Sequence, residues 1–114
     1  MKKQFRIKKN KEFQAVFNKG RTFANRQLVI YYRENPDQSY FRVGLSVGKK
    51  IGNAVTRNRI KRYLREAFQA LSPGISGGYD IVIIARKPTK DLGAEEIKRS
   101  LHHLLAKQGL FRKK

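Results

Sequence analysis

The run Tyr79–Ala85 reads Tyr-Asp-Ile-Val-Ile-Ile-Ala, with consecutive apolar residues from Ile81 onward. Successive side chains of a strand point to opposite faces, so this segment is apolar on both. A strand of that kind belongs in the interior of a sheet, covered on each side. The rest of the chain has to supply the neighbouring strands and the cover.

Three segments have helical spacing. Ile60, Tyr63, Leu64, Ala67, Phe68 and Leu71 recur at i, i+3, i+4, i+7, i+8 and i+11, which predicts an amphipathic helix over about Ala54–Leu71, stopping before Ser72-Pro73-Gly74. Ile97, Leu101, Leu104 and Leu105 share a face of a last helix, about Ala94–Gln108, ending at Gly109. A short first helix runs from an N-cap at Asn10 through Lys19 to Gly20, with Phe13, Val16 and Phe17 on one face.

The strands lie between. Arg21–Ala24 reads as a short edge strand. Arg26–Arg33 is rich in aliphatic and aromatic residues, and Tyr40–Val47 alternates Phe41, Val43, Leu45 and Val47 with Arg42, Gly44 and Ser46. The Glu34–Gln38 turn predicts that these two strands pair as an antiparallel hairpin. The strand Tyr79–Ala85 is expected parallel to the one before the long helix. Residues 1–8 read as an extended arm, 72–78 as a flexible loop and 111–114 as a frayed end.

The predicted fold is a small single-domain α+β sandwich over 1–114, order αβββαβα, a mixed sheet with helices packed on it. The second and third helices should cover the face bearing Leu28, Ile30, Phe41, Val43 and Leu45. The opposite face, with Val29 and Tyr31, would meet only the first helix. Gly44 and Ser46 are small and leave room on that face, so a groove lined by Phe13, Phe17, Val29 and Tyr31 is expected there. Phe13 and Phe17 have two readings: ordinary core, or a platform on which unpaired bases stack.

Charge restricts the partner. Lys and Arg number 27 against 8 Asp and Glu, a formal charge of +19. A compact chain so charged repels itself and is relieved by a polyanion, nucleic acid before an anionic membrane surface. The cations are concentrated. Arg57, Lys61 and Arg65 form an i, i+4, i+8 row beside the apolar stripe of the long helix, flanked by Asn58 and Arg62. Like charges so spaced cost about 0.2–0.5 kcal/mol per pair. Arg57 and Arg59 at the helix start oppose the macrodipole, at about 0.3–1 kcal/mol each. With Lys49, Lys50 and the Gly52-Asn53 turn, they stand where backbone N–H groups and side chains together hold phosphate.

Catalytic constellations are scarce. The acids Glu12, Glu34, Asp37, Glu66, Asp80, Asp91, Glu95 and Glu96 are scattered, and Glu95-Glu96 sits in a first helical turn, where acids suit the dipole. His102 and His103 are adjacent and diverge by about 100° on a helix. Gly44-Leu45-Ser46-Val47-Gly48 resembles half of a nucleophile elbow without an acid–His set, and Lys49-Lys50-Ile51-Gly52 is no phosphate loop of the Walker type. There is no cysteine, so disulfides and thiolate chemistry are excluded. No apolar stretch approaches the roughly 18 residues of a membrane span, and no secretory h-region follows the basic start. The expectation is a binder in the cytoplasm, with no metal site of its own.

Ala54-Val55-Thr56-Arg57-Asn58-Arg59-Ile60-Lys61-Arg62-Tyr63-Leu64-Arg65 closely resembles the "RNR" signature of the protein subunit of bacterial ribonuclease P. Ala24-Asn25-Arg26-Gln27, Arg42-Val43-Gly44-Leu45-Ser46-Val47 and Ile83-Ile84-Ala85-Arg86-Lys87-Pro88 resemble the family's other blocks, in order and at fitting spacings. The resemblance covers nearly the whole chain. It implies an RNA-binding subunit of an endoribonuclease whose catalytic RNA, with Mg²⁺, removes the 5′ leader of precursor tRNA and leaves a 5′-phosphate on the tRNA. It implies that Arg57, Asn58, Arg59, Lys61, Arg62 and Arg65, with Lys49, Lys50 and Asn53 alongside, face the catalytic RNA. It places the leader against Phe13, Phe17, Val29 and Tyr31, with Arg86 and Lys87. A left-handed crossover between the parallel strands is implied too, against the general rule. The implied partners are the catalytic RNA and precursor tRNA, with no membrane and no obligate protein partner. A structural RNA binder of ribosomal type and a DNA-binding helix module remain as alternatives.

Overall fold

The computed structural model describes residues 6–7, 9–36, 38–75 and 77–111. The chain passes through helix α1 (Asn10–Lys19), strands β1 (Arg21–Ala24), β2 (Leu28–Glu34) and β3 (Arg42–Ser46), helix α2 (Ala54–Leu71), strand β4 (Tyr79–Ala85) and helix α3 (Ala94–Lys107). The order αβββαβα is as expected. Ile81, Val82 and Ile83 are fully buried, so β4 is the inner strand its composition calls for.

The sheet order is β1-β2-β4-β3. The expected hairpin between β2 and β3 does not form: β4 inserts between them, antiparallel to β2 and parallel to β3. Alternation identifies a strand but carries no information on its partner. The strand that is apolar on both faces gains most from neighbours on both edges, and it takes them. The β2–β3 connection therefore crosses the start of β4. It passes so close to Gly77 that a Cβ there would lie 2.3 Å from the Ser39 carbonyl oxygen, and Gly78 adopts φ +81° just after it. Gly77 and Gly78 thus serve a backbone crossing rather than a loose loop.

The two faces have separate cores. On one, Leu28, Ile30, Val43, Ile81 and Ile83 pack against Ile60, Leu64 and Phe68 of α2 and Ile97, Leu101, Leu104 and Leu105 of α3, with Phe41 and Leu45 partly buried beside them. Each such side chain contributes about 1.5–3 kcal/mol by leaving water. On the other face, Val16 of α1 covers Val82, with Ile7 buried and Phe13, Phe17, Tyr31 and Ile84 half-buried around them.

The ends are held further out than expected. Ile7 is buried and its N–H donates to the Val43 carbonyl at 2.9 Å, with Arg6 bridging Val43 in parallel. Phe111, expected to fray, bridges Ile75, packs on the larger core and lies 5.1 Å from the His102 ring. Both Ile7 and Phe111 carry apolar area that the neighbouring core can remove from water. The remainder of the predicted arm (1–5 and 8) and of the tail (112–114) lies outside the described residues.

The caps differ in detail. Lys9, not Asn10, is the N-cap of α1, and its N–H donates to Glu12 Oε1 at 3.3 Å. Gly20 closes the helix in extended conformation, and a Cβ there would meet the Val16 and Tyr32 carbonyl oxygens at 2.4 and 2.6 Å. Asn53 caps α2 through Oδ1, which accepts the Thr56 N–H at 2.9 Å.

Candidate nucleic-acid interface

Register and pleat divide the α1 face into three cross-strand rows. Residues Arg42, Asp80 and Arg33 form the first. Gly44, Val82, Tyr31 and Thr22 form the second, beneath α1, and Ser46, Ile84, Val29 and Ala24 the third. The rows are fixed because side chains aligned across paired strands share a face.

The first row is a clamp. Arg42 Nε and Nη2 donate to the two oxygens of Asp80, each at 3.0 Å, and Arg42 Nη1 bonds Glu12 on α1. Asn35 and Gln38 side chains also donate to the Asp80 carboxylate, which is buried. Hydrogen bonding to Asp80 raises the Arg42 guanidinium above its ordinary pKa, opposed by burial and supported by the charges of Asp80 and Glu12. The clamp anchors the N-terminal part of α1 to the sheet.

With α1 so held, Phe13 rests on Gly44, where a Cβ would stand 2.7 Å from its ring. Phe17 meets Tyr31 edge-on with ring centres 4.9 Å apart, and Phe13 and Phe17 are 6.4 Å apart. These aromatic residues are half-buried, packed on the smaller core and partly open to solvent. They are core and exposed wall at once. The room predicted at Gly44 is filled by Phe13, whereas Ser46 and Ala24 are exposed and Ile84 and Val29 half-buried. The third row is therefore the open floor of a groove walled by the α1 aromatics. Four strands at a spacing of about 4.8 Å make that floor about 14 Å across. Ser46, Ile84 and Ala24 join Val29 there. Alternation within Arg42–Ser46 and Tyr79–Ala85 carried that signal, but only the register aligns them.

Cations stand at the groove's β3 end. Lys49 and Lys50 are exposed on a short 3₁₀ turn anchored by buried Ile51. They share a cleft of about 610 Å³ with Ser46, Ile84, Arg86 and Lys87 at the carboxyl ends of the parallel strands β3 and β4. Residues assigned by resemblance to different RNAs thus line one cleft. At the β3 edge, Lys61 and Arg65 line a cavity of about 160 Å³ with Arg6, Phe13 and Gly44. The cationic row of α2 therefore abuts the aromatic wall.

The remaining residues of α2 differ in freedom. Asn58 and Arg62 are exposed, with the Arg62 guanidinium 5.3 Å from the Tyr63 ring centre. Arg59 donates to the Lys90 carbonyl at 2.8 Å, fixing the 3₁₀ segment Lys87–Asp91 against α2. Arg57 is half-buried, and its Nε is buried without a partner among the described residues. No acid lies in the first turn of α2. Arg86 Nη1 donates to the Asn25 carbonyl at 2.8 Å, joining the end of β4 to the β1–β2 turn.

Metal fit is poor. Among the described residues no three His, Cys, Asp or Glu side chains form a group able to hold a metal ion. Glu12 and Asp80 are committed to Arg42, and Glu96 accepts the Gly93 N–H at 3.3 Å. Among the same residues no helix is long and apolar enough to cross a membrane.

Comparison with known proteins agrees with this fold. A sequence model of the ribonuclease P family matches residues 1–109. The ribonuclease P protein component of Oceanobacillus iheyensis is 67% identical over 112 residues, 98% of this chain and 93% of that protein. The structure of the Staphylococcus aureus RNase P protein, 46% identical, superposes with a TM-score of 0.89 over 95% of this chain and 98% of that one. The RNase P protein of Thermotoga maritima, 32% identical, gives 0.80 over 88% and 94%. The sheet with its α1 groove, the cationic α2 and these matches along the whole chain lead to one conclusion: the chain belongs to the ribonuclease P protein family.

Proposed function

We propose that this chain is the RNA-binding, non-catalytic protein subunit of ribonuclease P, holding the catalytic RNA on α2 and the single-stranded 5′ leader of precursor tRNA in the groove. The observation that carries the reading is the contact between the two surfaces: Lys61 and Arg65 of the cationic row line one cavity with Phe13 of the aromatic wall. An RNA on α2 and a strand in the groove would meet there.

Arg57, Asn58, Lys61, Arg62 and Arg65, with Lys49, Lys50 and Asn53, supply phosphate contacts, and counterion release drives much of the binding. Arg59 holds the segment bearing Lys87 through the Lys90 carbonyl. The solvent-open parts of Phe13, Phe17 and Tyr31 offer π-faces to unpaired bases, while Val29 and Ile84 floor the groove. Arg86 and Lys87 meet leader phosphates beside Lys49 and Lys50. Orienting the leader next to the catalytic RNA lowers the entropic cost of aligning the scissile bond.

Mg²⁺ supplies its chemistry from the RNA subunit and substrate, consistent with acids in this chain that are scattered or committed to other partners. The proposed compartment is the cytoplasm, where precursor tRNA and the RNA subunit would be met. The test is cleavage of precursor tRNA by ribonuclease P RNA at low Mg²⁺, with and without this protein. Acceleration by a protein inert alone supports the reading. RNA binding without any change in rate or substrate affinity would replace it with a structural RNA binder.

A further inference from the structure

We propose that a second cleft, between the β1–β2 turn and α3, binds the leader upstream of the groove, as single-stranded RNA held through its phosphates. This rests on the groove reading above. The cleft, about 440 Å³, is lined by Asn25, Arg26, Gln27, Leu92, Glu96 and Arg99, among others, and Glu96 Oε1 accepts the Gly93 N–H. It contains Asn25, Arg26 and Gln27, residues to which the groove and the α2 surface assign no RNA contact.

Part of that block is architectural. Asn25 Oδ1 accepts the N–H groups of Gln27 and Leu28 at 2.9 and 2.8 Å, closing the turn. Asn25 Nδ2 donates to Ser100 Oγ at 2.8 Å, and Ser100 Oγ donates to Gln27 Oε1 at 3.2 Å. This chain of bonds fixes the Gln27 amide. Its carbonyl is used, and its N–H₂ has no partner among the described residues. A donor held in place by its own support is what recognition of an acceptor oxygen requires.

The rim has matching charge. Arg26 and Arg99 are exposed, and neither makes a side-chain hydrogen bond or ion pair among the described residues. Arg42, Arg59 and Arg86, by contrast, spend donors on the protein. Half-buried Leu92 adds an apolar wall against which a base can lie.

Continuity selects the occupant. The groove floor ends on the β1 side at Val29 and Ala24, and Asn25 and Arg26 follow directly. Arg86, in the cationic cleft at the end of β4, donates to the Asn25 carbonyl, so that cleft and the turn bearing this one are in direct contact. The catalytic RNA on α2 sets the cleaved end of the leader near β3, so the upstream nucleotides leave toward β1 and reach this cleft.

The test uses the reconstituted holoenzyme with two precursor tRNAs, one whose leader ends within the groove and one whose leader extends well beyond it. Substituting Arg26→Ala with Arg99→Ala should lower the ratio of long-leader to short-leader affinity by on the order of tenfold near 0.15 M salt, as expected for two lost phosphate contacts. Gln27→Glu keeps the oxygen that Ser100 bonds but removes the amide donor, and should lower the same ratio with the melting temperature retained. An unchanged ratio overturns the inference. So does an equal loss for both leaders, or weaker binding of the RNA subunit alone, which would assign the cleft to tRNA body or catalytic RNA. Phe17→Leu separates the two proposals: if it weakens both substrates while the Arg26 and Arg99 changes leave the ratio intact, the groove stands and this cleft fails.

Discussion

The Phe13 ring lies on Gly44 so closely that a Cβ at residue 44 would stand 2.7 Å from its Cε1 and Cζ. The contact joins α1 to β3 and sets the height of the aromatic wall over the groove. Gly44→Ala must push Phe13 aside, and because the clash is with the outer end of a side chain the ring can yield. We expect a stability loss of about 1–3 kcal/mol and weaker leader binding, measured by thermal melting and by affinity for a single-stranded leader. Wild-type affinity in this variant would remove Phe13 from the binding wall.

Phe17 meets Tyr31 edge-to-face at 4.9 Å and is half-buried. Phe17→Leu keeps apolar volume but loses the π-face. Its stability cost should stay below about 1.5 kcal/mol, while leader affinity falls by about 1–3 kcal/mol if a base stacks there. Melting and leader titration on the same preparation separate the two effects. A stability loss with unchanged affinity would make Phe17 core only.

Asp80 is buried and takes both forks of Arg42, which also holds Glu12 of α1. Asp80→Ala leaves Arg42 with Glu12 alone. Because Arg42 is itself partly exposed, the cost should be about 2–3 kcal/mol, below that of a fully buried broken pair. Hydrogen exchange should show α1 loosening before α3. Arg42 has a pKa above its unfolded value, so its contribution is fully present below that unfolded value and is lost only as pH rises through the folded one. A urea-denaturation series across neutral pH should show no step from this guanidinium.

If about six phosphates are contacted, log K for single-stranded or catalytic RNA should fall with log salt at a slope of roughly −4 to −5. Replacing Arg57, Lys61 and Arg65 by Gln should flatten the slope for the catalytic RNA by about 2. Removing like charges spaced i, i+4 should leave α2 as stable or slightly more so. An unchanged slope would take these residues off the RNA interface.

Gly77 lies under the β2–β3 connection, with backbone rather than a side chain in the way of a Cβ at 2.3 Å. Gly77→Ala should therefore cost more than Gly44→Ala, at least about 3 kcal/mol. Equal melting points for the two variants would mean that the crossing can shift.

The linear sequence by itself determined the elements, because each has a period that physical chemistry reads locally. The stripe Ile60–Leu71 spells α2, alternation from Arg42 to Ser46 spells β3, and an unbroken apolar run marks β4 as interior. Charge did the same for function: cations at the start of α2, where the macrodipole disfavours them, point to an external anion. Pairing was not legible, since β2 and β3 read as a hairpin until β4 is placed between them, and a period of 2 is the same whatever the partner. The groove floor was legible only in part. Val29 and Tyr31 follow from alternation, but Ser46, Ile84, Val29 and Ala24 become one row only through register across four strands. Tertiary structure also decided which arginines are free. Arg59 and Arg86 carry the same charge as Arg62, yet each spends donors on a carbonyl brought near by a distant segment. Such contacts have no period in sequence, and they set the surface left for RNA.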